Sequence, residues 1–231
     1  MRIGILEDDA SLADELVEVI SREGHRCFLH RSAESLMAFI SHETVDLLLL
    51  DWDVQHGAAS EVIRRVRDDR SRHIPVVILT SPSAEQDLIT GLRAGADGYA
   101  AKPLRPALLL ARIESLYDRW FPKPPVGRLE RYGKYEFDAG SREVVARGTS
   151  IKLTSKEFAV ALMLFRNQER ALSRSYIFEA VWGSNLKTQT RTVDSHVSKL
   201  RTKLGLQGGN GFRLVPVYGF GYRLDVMAEG D

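Results

Sequence analysis

The sequence predicts an α/β protein, a doubly wound sheet of five parallel strands followed by a smaller α+β unit. Three observations predict it. Through residues 1–119, short apolar runs alternate with amphipathic helical segments, the pattern that packs helices on both faces of a parallel sheet. The run at 45–51, VDLLLLD, sets four consecutive leucines between acids, as in a strand buried on both faces. Past a proline-bearing stretch at 117–126, YDRWFPKPPV, short strand-like segments with glycine turns and then three helices take over.

At 231 residues the chain has room for two ordinary domains. Cys27 is the only cysteine, which excludes intrachain disulfides and Cys-rich zinc sites and fits a cytoplasmic setting. No apolar run approaches the ~18 residues of a membrane span, so no membrane partner is expected. Acids at Glu7, Asp8 and Asp9 argue against a signal peptide. The net charge of +1 conceals an asymmetry. Residues 1–120 carry 14 Lys+Arg against 20 Asp+Glu, whereas 121–231 carry 18 against 11. An acidic half joined to a basic half points to nucleic acid as a partner of the second half alone.

In chain order, the apolar strand Arg2–Leu6 ends in Glu7-Asp8-Asp9, and Ser11 opens a helix with Leu12, Leu16, Val19 and Ile20 on one face. Gly24 stops that helix. A strand at 27–29, a helix over Ala33–Ile40 and the leucine strand follow. A helix at 61–66 precedes the strand at 76–79, which ends at Thr80. Another helix carries Leu88, Ile89 and Leu92; a strand at 99–101 then leads through Lys102-Pro103 into a last helix with Leu108, Leu109, Ala111 and Ile113.

Ligands of an open α/β sheet bind just outside the carboxyl ends of its strands. Those ends supply Glu7, Asp8, Asp51, Thr80 and Lys102. Carboxylates gathered there repel one another unless a cation neutralises them, and a few hard oxygen ligands suit Mg2+. Asp51 can then serve as a nucleophile toward a phosphoryl group. Thr80 can donate to one phosphoryl oxygen, and Lys102 can pair with another.

The motifs EDD, DLLLLD, VVILTS and GADGYAAKPL, in this order, resemble the receiver domain of response regulators, with its flavodoxin-like sheet. The resemblance implies phosphorylation of Asp51 by a sensor histidine kinase, and Mg2+ held by Glu7, Asp8, Asp51 and the backbone carbonyl of Asp53. It makes Thr80 and Tyr99 a switch pair and the Lys102-Pro103 peptide cis, as only X–Pro bonds commonly are. It also implies a homodimer on activation, through a face holding Leu88, Ile89, Leu92, Leu108 and Arg112. The chain departs from the pattern in places. Gln55 and Ala59 stand where a proline and a glycine are usual, and position 53 is an acid. Leu88 and Leu108 replace a charged pair, and Gly98 replaces an acid that would meet Arg112, so the dimer face is expected to be more apolar.

After the boundary, strands at 135–137, Glu143–Ala146 and 151–153 form a small antiparallel sheet. Thr154 and Glu157 make a capping box at the start of a helix, and Ser173 caps a second. The third, at 190–204, has Val193, Val197, Leu200 and Leu204 in one apolar stripe. Its other side shows Thr192, Ser195, His196, Lys199 and Lys203, flanked by Arg191 and Arg201, side chains suited to phosphates and base edges in the major groove. A hairpin from Phe212–Val217 to 222–224 follows as a wing. LTSKEF, VWG, RTVDSHVSKLR and GFGYRL resemble the winged-helix effector domain of the OmpR/PhoB family. There the wing often offers an arginine to the minor groove, where this chain has Tyr218.

The combined resemblance implies domains at 1–119 and 128–228 joined by a linker at 120–127. It implies a regulator that binds double-stranded promoter DNA at tandem repeats spaced roughly 10–11 bp, with RNA polymerase as a further partner. Two alternatives stay open, a regulator that binds DNA without phosphorylation and a phosphatase, since Asp51-Trp52-Asp53 matches the DxD opening of haloacid-dehalogenase-type enzymes.

Overall fold

The alternation of short apolar runs with amphipathic helices folds as an open parallel sheet. A computed structural model describes residues 1–54, 57–69, 74–81, 85–122, 129–183 and 190–227. The chain divides into two compact units, Met1–Pro122 and Lys123–Asp231.

The first unit runs β1 (Arg2–Leu6), α1 (Ala10–Arg22), β2 (Arg26–His30), α2 (Ala33–Ile40), β3 (Leu47–Asp51), α3 (Ala58–Asp68), β4 (Val76–Thr80), α4 (Glu85–Ala94), β5 (Gly98–Ala101) and α5 (Pro106–Trp120). The sheet order is β2-β1-β3-β4-β5, with every pair parallel. Side chains alternate across a strand, and the four leucines divide accordingly. Leu47 and Leu49 join a core with Leu16, Ile20, Leu109 and Ile113 of α1 and α5. Leu48 and Leu50 join a second core with Leu36, Ile40, Val62 and Ile63 of α2 and α3. Burial on both faces is why the strand shows no polar alternation.

Helix α1 begins one residue before the expected Ser11, because Asp9 is its cap and accepts the Leu12 N–H at 2.9 Å. The third acid of the cluster is thereby committed to the helix. Helix α3 is longer than the expected 61–66 and starts beside Gly57, whose φ of +89° suits glycine. Helix α5 continues to Trp120, one residue past the expected domain end. Most of the expected linker, and Gln55, lie outside the described residues.

The second unit opens with an antiparallel sheet of β6 (Leu129–Tyr132), β7 (Tyr135–Asp138), β8 (Glu143–Ala146) and β9 (Thr149–Ile151). Strand β6, LERY, was not expected because its charges hide it. Glu130 is buried there and takes two hydrogen bonds from Arg166, at 3.0 and 2.5 Å. Strand β9 lies two residues before the expected 151–153.

Helix α6 (Ser155–Arg166) starts at the expected capping box. Strand β10 (Leu172–Ser173), α7 (Arg174–Trp182), α8 (Thr190–Lys203), β11 (Phe212–Val217) and β12 (Gly221–Val226) complete the fold. The last sheet is ordered β10-β12-β11. Tyr135, Phe137, Phe158, Phe165 and Phe212 form the aromatic centre of the core. The Tyr135 hydroxyl donates to the Leu204 carbonyl at 2.5 Å, satisfying an acceptor just beyond the end of α8.

Strand β12 reaches β10 only because position 221 is glycine. A Cβ there would sit 2.0 Å from the Leu172 carbonyl oxygen and 2.9 Å from Ser173 Cα. Gly221→Ala is expected to cost the second unit about 1–3 kcal/mol and to leave the first unit unmoved. Calorimetry of the full chain checks this, and an unshifted second unit would contradict it.

Candidate functional site

The strand ends of the first unit gather acids around one cation. Asp51 closes β3 and is 2 % exposed; Glu7, just after β1, is fully buried, while Asp8 is exposed. One carboxylate oxygen from each of Glu7, Asp8 and Asp51 lies within 4.8 Å of the others. Lys102, just after β5, places Nζ 2.6 Å from Asp51 Oδ1, 3.8 Å from Asp53 Oδ2 and 4.0 Å from Glu7 Oε2. One ammonium thus faces a surplus of carboxylates.

Glu7 is the most deeply buried acid in this arrangement. Its Oε1 accepts the Asp9 N–H at 3.0 Å, but its buried Oε2 has no hydrogen-bond partner. Burial pushes the Glu7 carboxyl above its usual range; the Asp9 N–H opposes this, and the Asp51 charge adds to it. An orphaned oxygen beside two further carboxylates is a donor set that fits a small hard cation such as Mg2+.

The remaining site residues surround this cluster. Thr80 ends β4, buried, and its Oγ1 has no hydrogen-bond partner among the described residues. Tyr99 on β5 is 38 % exposed, with the Arg112 guanidinium 5.0 Å from its ring centre. The Lys102-Pro103 peptide is cis. The Asp53 N–H points to Asp51 Oδ1 at 3.4 Å, and its half-exposed carboxylate stands at the rim near Lys102. Ala59 is buried in α3, and the left-handed turn falls at Gly57 instead.

Sequence reasoning passed over Trp52. It is buried, and a Cβ at Gly91 of α4 would come within 3.1 Å of its ring and 2.5 Å of Ile78 Cδ1. The residue after Asp51 therefore rests on the fourth helix. An aromatic directly after the strand-end acid was the available signal.

Of the expected dimer-face residues, Leu92 and Leu108 are 44 % and 56 % exposed. Leu88 and Ile89 are half-buried, and Leu88 packs against the core on the α2–α3 side. Arg112 is half-buried.

In the second unit, Val193, Val197, Leu200 and Leu204 are buried as the stripe predicts. Arg191, Ser195 and Lys199 are exposed, together with Ser198 and Thr202, which the pattern reading did not name. Arg201 of the flank, and His196 and the exposed Lys203 of the face, are bonded within the domain. Arg201 Nε donates to the Leu214 carbonyl at 3.0 Å. Lys203 Nζ pairs with Glu157 at 2.8 Å. His196, like Thr192 half-buried, has Nδ1 2.8 Å from the Thr192 carbonyl and meets the Trp182 ring edge-on. Asp194 accepts from Arg174 at 2.8 Å and from the Tyr222 hydroxyl at 2.6 Å, tying α7, α8 and β12 together. Tyr218 stands fully exposed between β11 and β12.

An acid-lined strand end with its lysine, followed by a winged helical unit that turns a basic helix face outward, defines a response regulator with a receiver and a DNA-binding domain. The chain belongs to the OmpR/PhoB family of response regulators. Residues 3–114 match the family model described as response regulator receiver domain, and residues 148–224 that described as transcriptional regulatory protein, C terminal. The sensory transduction protein RegX3 of Mycolicibacterium smegmatis is 32% identical over 224 residues, 96% of this chain and 97% of its own. The phosphate regulon transcriptional regulatory protein PhoB of Escherichia coli is 32% identical over 223 residues, 96% of each. The response regulator DrrB of Thermotoga maritima, a solved structure, aligns at 24% identity with a TM-score of 0.46 over 98% of this chain and 99% of its own.

A carboxyl whose folded pKa exceeds its unfolded value destabilises the chain when ionised. For Glu7 that penalty is absent below the ordinary 4.5 and reaches its full size above the raised value. Glu7→Gln is therefore expected to stabilise the metal-free chain at neutral pH by roughly 1 kcal/mol or more. The gain should vanish as pH falls to the ordinary carboxylate range. Urea unfolding at both pH values checks the sign.

Proposed function

We propose that this protein is a phosphorylation-switched transcription regulator whose phosphoacceptor is Asp51. The observation that carries the reading is the placement of Asp51 at a strand end, between the Glu7–Asp8 acids and the Lys102 ammonium. A sensor histidine kinase is the donor. An Asp51 carboxylate oxygen attacks phosphorus, the new O–P bond replaces the P–N bond of a phosphohistidine, and the imidazole leaves. Bound Mg2+, held by Glu7, Asp8, Asp51 and the Asp53 carbonyl, supplies charge neutralisation for the transferred group. Lys102 pairs with one phosphoryl oxygen. The unpartnered Thr80 hydroxyl donates to another, and its displacement opens the space that Tyr99 enters.

The consequence is dimerisation through the α4–β5–α5 face, followed by binding of two effector domains to tandem repeats in promoter DNA. Pairing raises the effective concentration of the second domain at the adjacent repeat. RNA polymerase is the downstream partner. On α8, Arg191, Ser195 and Lys199 present the readout face with Ser198 and Thr202, while Thr192 and His196 border it. Arg201 and Lys203 act mainly by fixing the helix, because each is bonded within the domain. Tyr218 contacts the backbone or minor groove by stacking or its hydroxyl.

Incubation with acetyl phosphate and Mg2+ tests the first step. Wild type should gain one phosphoryl group by intact mass, and Asp51→Ala none. Operator affinity that is equal with and without phosphorylation would instead support the phosphorylation-independent regulator. Steady turnover of a generic phosphate ester would support the phosphatase.

Two further outcomes follow from the residues placed above. Lys199→Ala should weaken operator binding and lower its salt slope by about one. Lys203→Ala should reduce domain stability and change the slope less. Since Leu92 and Leu108 are apolar, phosphorylated dimers should persist as salt rises, because screening acts on charge. Leu108→Ser should loosen them at least about tenfold by lost burial. Sedimentation across a salt series checks both, and steep dissociation of wild type at high salt would refute the apolar interface.

A further inference from the structure

Arg112 sits over the one aromatic that the switch reading requires to move. Its guanidinium carbon is 5.0 Å from the centre of the Tyr99 ring, within the range of cation–π attraction. Tyr99 is turned outward and partly solvated. Two surface grooves, of ≈ 360 Å³ and ≈ 480 Å³, share Tyr99, Leu108 and Arg112 in their walls. The stacked pair therefore forms part of the ridge between them.

The neighbour that would draw Arg112 away is missing from this chain. A Cβ at Gly98 would lie 3.3 Å from Leu116 Cδ1 and 3.9 Å from Arg112 Cδ, so a side chain at 98 would run along the arginine. An acid there would compete for the guanidinium. With glycine in place, and with Asp97 engaged by Arg67 at 2.6 Å, no ion pair of Arg112 is present among the described residues. Among the described residues its strong neighbour is the Tyr99 ring.

On the inward side of the same strand pair, Thr80 is buried with its Oγ1 unpartnered. The register sets Tyr99 opposite Ile78 and Ala101 opposite Thr80, so Tyr99 is two residues from the level of Thr80 on the adjacent strand. The ring's outward position has a specific attraction holding it, and nothing of that kind is visible on the threonine side.

We propose that Arg112 is a positioning residue for Tyr99, a latch that holds the switch aromatic outward in the unphosphorylated chain. This rests on the switch reading given above and adds its regulation. Tyr99 must leave Arg112 to move inward, so the latch lowers the resting population of the activated arrangement. An exposed cation–π contact biases such an equilibrium by about two- to fivefold. The apparent affinity for any ligand of the activated arrangement falls by the same factor when that state is the minor one.

The test uses the full chain with 3-fluorotyrosine placed at position 99. Beryllofluoride with Mg2+, a phosphoryl mimic, is titrated at protein concentrations shown by sedimentation to be monomeric. Arg112→Gln removes the cation, and Gly98→Asp offers it a carboxylate; each should lower the midpoint about two- to fivefold. Each should also move the resting fluorine signal toward its saturated position. Arg112→Lys, which keeps a cation, should stay nearer wild type. A midpoint and resting signal unchanged in Arg112→Gln would overturn the latch, whether or not Gly98→Asp folds. If the wild-type signal fails to move at saturation, the Tyr99 switch itself is refuted, and the latch with it.

Discussion

The contact between Lys102 Nζ and Asp51 Oδ1, 2.6 Å, is the interaction on which the receiver site depends. Four carboxylates stand around this ammonium or on its rim, and without it their repulsion would oppose the approach of the strand ends. The pair is nearly shielded from water at Asp51 and more open at Lys102, so the cation remains reachable while the Asp51 carboxylate is held. Folding alone does not neutralise the cluster. Glu7 is left with a buried oxygen that takes no hydrogen bond and lies 4.0 Å from the Lys102 ammonium, a local cost that a bound cation would relieve.

The second unit solves a different problem, holding a solvated helix rigidly enough to be read. Helix α8 has its apolar stripe in the core, but the stripe alone permits rotation and sliding. Polar ties fix it from three directions. Asp194 receives Arg174 and Tyr222, Lys203 reaches Glu157 of the α6 capping box, and Arg201 binds the β11 backbone at Leu214. Arg201 and Lys203 are spent on this anchoring, whereas Arg191 stays exposed. The face itself is left to residues whose side chains extend into solvent.

Much of this architecture was legible in the residues. The leucine strand, the alternating helices, the strand-end acids and the stripe of α8 depend on local periodicity, which a sequence displays directly. What escaped notice depends on partners distant in sequence. Strand β6 was hidden because Glu130 reads as a surface charge until Arg166 is brought to it. Asp194 went unnamed in the helix pattern, because its partners Arg174 and Tyr222 lie 20 and 28 residues away. Arg201 and Lys203 counted as free cations by periodicity alone, since their acceptors lie 13 and 46 residues away.

The close approach at Gly221 has a consequence for how this family member can diversify. β12 is pinned to β10 at the base of the hairpin, and the tip beyond it carries Tyr218 wholly in solvent. Substitution of Tyr218 therefore disturbs no packed contact, while Phe220, whose carbonyl accepts the Arg174 N–H at 3.2 Å, keeps the returning strand tied to α7. Mutational freedom is concentrated at the one part of the wing that reaches away from the domain. A change of side chain at Tyr218 leaves the packed interior of the unit untouched.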